Sequence, residues 1–172
     1  MIQGGNKMNQ LIRNTLLCAA LSSVMPLAHA QVYPEGNGIV FSGITQFDLY
    51  VDVSHWHGMA DDPVAFRLAA QRQLEAALTD IGATRRPASR NHLVCRLQAR
   101  LDGDQVSYAS TMELWGLQST EVHTLLWRQG DIIRTAQSDF SAARIAADCA
   151  GHFEAEWSKW NSPTRNGWQA GS

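Results

Sequence analysis

The stretch HLVCRLQARLDGDQVSYASTMELWGL, residues 92–117, alternates apolar and polar side chains on both sides of an Asp102-Gly103 pair. Leu93, Cys95, Leu97, Ala99 and Leu101 fall on one side of an extended chain. Arg96, Gln98 and Arg100 fall on the other, because successive strand side chains point to opposite faces. Asp-Gly between two such runs is a hairpin signal, since a tight turn of matching twist needs residues that accept positive φ. Past the turn, Val106 to about Leu117 sets Tyr108, Met112 and Leu114 against Thr111, Glu113 and Trp115. Two paired strands with one apolar and one polar face thus occupy the middle of the chain, and the apolar face requires a cover.

The flanks supply it. Upstream, Thr45 to Ser54 alternates Phe47, Leu49, Val51 and Val53 with Gln46, Asp48, Tyr50 and Asp52, which predicts a strand with one wet face. Asp61 and Asp62 precede Pro63, an acidic cap before a proline in the first helical turn. The helix that follows turns Phe66, Ala70, Leu74, Ala77, Leu78 and Ile81 inward and ends at Gly82. Downstream, Val122 to Trp127 predicts a fourth strand and Arg128 to Asp131 a turn, with Ile132 and Ile133 available to extend the sheet. A final helix is expected from near Asp139 to Trp160, where Ser162-Pro163 stops it. The expectation is an α+β fold, a β-α-β-β-β-α sandwich with a mixed four-stranded sheet and two helices on one face. Residues 44–161 form the single α/β domain, 31–43 a flexible leader rich in Gly and Pro in which Ile39 to Phe41 could add an edge strand, and 162–172 a disordered tail.

Residues 1–30 read as a cleavable signal peptide. Lys7 and Arg13 give a basic start, Thr15 to Leu27 is almost wholly apolar or small, and Ala28-His29-Ala30 is a small-x-small cleavage pattern. The apolar run is too short for a permanent span, which needs roughly 20 residues. Leu16-Leu17 before Cys18 are too large for a lipid-linked cleavage site. A periplasmic or secreted location follows, with no membrane span after cleavage. Cleavage leaves 142 of 172 residues, enough for one domain with a real core. It removes two of fourteen basic residues and none of sixteen acidic ones, so the remaining net charge is −4. A mildly acidic domain whose one lysine is Lys159 is a poor match for nucleic acid.

Cys95 and Cys149 are the cysteines left after that cut, and exported chains meet an oxidising compartment. Cys95 lies on the apolar side of its strand. Cys149 shares a helical stripe with Ala142, Ile145, Ala146, Phe153, Trp157 and Trp160. A disulfide between them is expected, worth about 4 kcal/mol in the chain-entropy model.

Two functional readings follow. The polar face of the sheet gathers Asp48, Tyr50, Asp52, Arg96, Gln98, Arg100, Glu113 and Trp115, with Arg128 near the fourth strand, and Tyr, Trp and Arg are the residue types that anchor interfaces. Tyr50, Arg96, Arg100 and Trp115 are the candidate partner-binding residues, and the partner is a protein of the envelope. The competing reading is copper binding. His55, His57 and Met59 lie at alternate positions of an extended segment, so imidazole and thioether could converge on one ion, with Asp61 or Asp62 as a further ligand. Catalysis has no comparable support: the chain contains no G-x-S-x-G and no H-E-x-x-H, Asp61-Asp62 serves as a helix cap, and Asp102 and Asp104 serve a turn. The expectation is a non-enzymatic protein without cofactor.

The element order over residues 45–160 resembles that of a family of envelope-associated domains that includes the lipopolysaccharide-assembly lipoprotein and the amino-terminal domain of TolB. It also resembles small exported bacterial proteins with the same strand-helix-meander-helix course, here through Leu74 to Gly82 and Trp127. The resemblance implies an envelope assembly accessory or inhibitor and assigns no site residues. Exported material is expected to begin at Gln31, which amino-terminal sequencing or intact mass checks; a mature chain retaining Met8 to Leu17 would contradict the signal assignment.

Overall fold

A computed structural model of the chain describes residues 30–117 and 122–161. The signal-peptide and tail readings, Ala30 apart, concern residues outside that range. The elements are β1 (Ala30–Gly36), a 3-10 turn (Gly38–Phe41), β2 (Gln46–His57), α1 (Pro63–Asp80), β3 (Thr84–Arg85), β4 (Asn91–Asp102), β5 (Gln105–Leu117), β6 (His123–Ala136), a second 3-10 turn (Gln137–Asp139) and α2 (Ala142–Asn161). The sheet order is β1-β6-β5-β4-β2-β3. β2 runs parallel to β3 and β4, and the remaining pairs are antiparallel. The two helices pack against each other and cover one face of the sheet.

The α+β class and the helix placement agree with the sequence reading, while the strand count does not. Six strands stand where four are expected, because part of the presumed leader pairs with β6 and Thr84–Arg85 pairs with Gln46 and Phe47. Ile39 to Phe41 is a 3-10 turn rather than an edge strand, and Phe41 is buried. Arg128 to Asp131 is not a turn: β6 runs straight through it. Gly130 is there for close approach, since a Cβ at that position would overlap the Ser110 carbonyl oxygen and crowd the Thr111 side chain. Both helix starts are capped by side chains. Asp62 accepts from the Val64 and Ala65 amides, and Ser141, rather than Asp139, accepts from Arg144 N–H.

One irregularity decides which side chains reach which face. The β2–β4 register slips between Val53 and His55. The extra residue inverts the alternation, as a bulge does. Val53 opposes Leu97 with the core series, yet Trp56 opposes Ala99 and turns inward, where its ring meets Phe66 and Phe140. Its indole N–H donates to the Asp61 carbonyl. His55 and His57 are thereby carried to the face away from the helices.

The core lies between the sheet and the helix pair. Phe41 stacks edge-on against Trp127 and Phe153, and Phe47 against Phe153, at centroid distances of 5.0–5.5 Å. Cys95 on β4 and Cys149 on α2 form a disulfide at its centre, with both residues fully buried and their Cα atoms 6.0 Å apart. The bond closes a 54-residue separation that includes β5 and β6. Cys149→Ala is expected to lower stability by about 2–5 kcal/mol. Urea unfolding checks this, and the variant should lose the sensitivity to reductant that the parent shows.

Candidate functional site

Among the described residues no element covers the sheet face opposite the helices, and strand register sorts that face into five cross-strand rows. Counting from the end where β6 begins, the first holds Asp48, His92, Trp115 and Leu125, and the second Tyr50, Val94, Glu113 and Arg128. The third holds Asp52, Arg96, Thr111 and Gly130, and the fourth His55, Gln98, Ala109 and Ile132. The fifth holds His57, Arg100, Ser107 and Arg134. Tyr50, Arg96, Arg100 and Trp115 therefore all share this face.

The centre of the face is ionic and tightly bonded. Arg96 donates through Nη1 to Asp52 at 2.6 Å and through Nε and Nη2 to the two Glu113 oxygens at 3.3 Å. Trp115 Nε1 donates to Glu113 Oε2 at 2.8 Å. Glu113 is only 4% exposed, and these donors satisfy both of its oxygens. The hydrogen bond to Glu113 raises the Arg96 pKa against the opposing effect of burial, and the charges of Glu113 and Asp52 add to the rise. A depression of about 260 Å³ lined by Arg96, Gln98, Ala109, Thr111, Glu113 and Arg128 lies over this cluster. Trp115 is half-buried with its N–H already committed, so it braces Glu113 as well as presenting a ring.

The first two rows hold a second polar group. Asp48 is buried and accepts hydrogen bonds from the Tyr50 hydroxyl at 2.8 Å and from the Ala88 and Leu49 amides at 2.9 and 3.0 Å. Burial by itself would raise its pKa, but the three donors, Tyr50 first, and the charge of His92 outweigh that and hold it below the ordinary carboxylate value. The same bond to Asp48, with burial, pushes the Tyr50 hydroxyl up. His92 lies between Tyr50 and His123, at ring distances of 5.9 and 4.9 Å. Burial and then His123 lower its pKa, with Asp48 pulling the other way.

The three candidate copper ligands are divided. The His55 and His57 rings stand 6.2 Å apart on the open face. Met59 is partly buried and packs against the core. Among the described residues no group of three or more His, Cys, Asp or Glu side chains could hold a metal ion. Ser107, His123 and Arg134 belong to the open face but escaped the sequence reading. Arg134 is hidden by the turn expected at Arg128 to Asp131, and the run Arg128-Gln129-Gly130-Asp131 carries no apolar alternation that could signal a continuing strand.

No protein-family model and no curated protein matches the chain. Among solved structures it is similar to the PelC dodecamer from Paraburkholderia phytofirmans and to a point variant of that protein. Each is 12% identical with a TM-score of 0.44, and the match covers 75% of this chain and 96% and 95% of theirs. Among the described residues no helix is long and apolar enough to cross a membrane.

Asp48→Asn is expected to reduce stability at neutral pH by about 1–2 kcal/mol, as all three donors lose a charged acceptor and at least one is left facing the amide N–H2. A depressed carboxylate contributes stability above its unfolded pKa, about 3.9, and loses it as pH falls through the lower folded value. The gap between parent and variant should therefore be full at pH 7 and close below about pH 4, which denaturant midpoints across that range check.

Proposed function

We propose that the protein is a non-enzymatic binding domain, periplasmic or secreted, that works by holding a protein partner of the envelope against the open face of its sheet. The observation that carries this reading is the uncovered face itself: two large apolar side chains, Tyr50 at 44% and Ile132 at 48% exposed, flank a centre whose charges are already paired. A preformed ionic centre costs little ordering on binding, and half-exposed aromatic and aliphatic groups beside it are what a partner can bury. The element-order resemblance to envelope-associated domains supports the same reading and extends it to an assembly accessory or inhibitor. Copper binding is left with two imidazoles, because Met59 packs against the core.

Arg96 and Trp115 serve poorly as interface probes, since removing either leaves the buried Glu113 short of a donor. A photo-cross-linking residue at Tyr50 or at Ile132 tests the face without that cost, with Leu68 on the exposed side of α1 as the control position. Incubated with native envelope extract, the two sheet positions should give the same protein adduct, competed by unlabelled protein and not by a Tyr50→Asp, Ile132→Asp variant. Equal adducts at Leu68, or none at the sheet positions, would refute the reading.

A further inference from the structure

We propose that the end of the open face nearest the β4–β5 turn receives an extended acidic peptide segment of the protein partner. This rests on the reading of the face as an interface and supplies its chemistry. His57 opposes Arg100, Arg100 opposes Ser107, and Ser107 opposes Arg134, which gives one straight row across β2, β4, β5 and β6. All four residues are exposed. With strands about 4.8 Å apart the row is about 14 Å long. A depression of about 260 Å³ extends over His57, Arg100 and Ser107 of this row and over the neighbouring row at His55, Gln98 and Ile132, with Arg134 outside its lining.

The charges here differ in kind from those at the centre. Arg96 is matched by two carboxylates. Arg100 and Arg134 make no ion pair among the described residues, and Asp102, on the adjoining row opposite Gln105, pairs with neither. A fixed guanidinium directly opposite His57 opposes a metal cation at the two imidazoles and attracts an anion instead. The length of the row selects the shape of that anion. A single phosphate or carboxylate reaches one arginine, whereas carboxylates two or three residues apart on an extended peptide, about 7–10 Å, reach both. Gln98 and Ser107 supply neutral donors for the peptide's carbonyls. The floor is aliphatic at Ala109 and Ile132. Tyr108, which also lines the depression, is 1% exposed with its hydroxyl donated to Asp148, so among the described residues the lining offers the His55 and His57 imidazoles but no exposed Phe, Tyr or Trp ring on which a sugar could stack. An acidic peptide fits such a lining better than an acidic glycan does.

The test measures binding of a fluorescein-labelled hexapeptide of glutamate and alanine to the purified protein by anisotropy at low salt. Arg100→Gln and Arg134→Gln are each expected to weaken binding about fivefold, the equivalent of about 1 kcal/mol, while Arg72→Gln on the exposed side of α1 leaves it unchanged. The proposal is overturned by absence of binding, by an equal loss from Arg72→Gln, by tighter binding of an oligogalacturonate of matched charge, or by full competition from an equal concentration of inorganic phosphate. If the peptide fails while the Tyr50 and Ile132 cross-links form, this proposal falls alone; if the cross-links fail too, the interface reading falls with it.

Discussion

Burial of one face of the β4–β5 hairpin is the constraint on which everything else in this protein depends. Leu93, Cys95, Leu97 and Ala99 face the helices together with Val106, Tyr108, Met112 and Leu114, and every one of them is buried. Two strands cannot hide that surface by themselves, so α1 and α2 must lie across it, and the disulfide from Cys95 to Cys149 pins α2 to the hairpin's first strand. Because both helices are used on one side, the polar residues of four strands are left together on the other. The candidate site is thus a by-product of how the core is closed.

That open face is not uniform. Its centre holds a nearly buried carboxylate, Glu113, whose oxygens accept from Arg96 and from the Trp115 indole. Such an arrangement stabilises little relative to apolar packing but penalises any rearrangement that strands the carboxylate. It therefore fixes the positions of Arg96 and Trp115 more than it offers them to a partner. The ends differ. Asp48 is saturated by three donors beside the His92–His123 pair, while Arg100 and Arg134 at the other end make no ion pair among the described residues. Residue types that look equivalent in the sequence divide into structural and available groups according to what stands opposite them.

Sequence alternation placed most of the face correctly, since the hairpin, the α1 cap at Asp62 and the facing of Arg96, Gln98 and Arg100 are consequences of local geometry. The errors share a cause. Gly130 resembles a turn residue when read with Arg128, Gln129 and Asp131, but it is a glycine because β5 comes too close for a Cβ. His55 and His57 fall on the apolar parity of Phe47 to Val53, and they reach the open face through a slip in pairing that no single strand reveals. Met59, next in that alternation, packs against the core.

What the sequence by itself determined is the α+β class, the central hairpin, both helices and the Cys95–Cys149 pairing, because period, caps and cysteine placement act over a few residues or one core face. What only the tertiary structure decided is the six-strand count, the bulge after Val53 and the row from His57 to Arg134. Each of these is a pairing between segments distant in the chain, and its register is set by the packing of neighbours rather than by the residues of either strand.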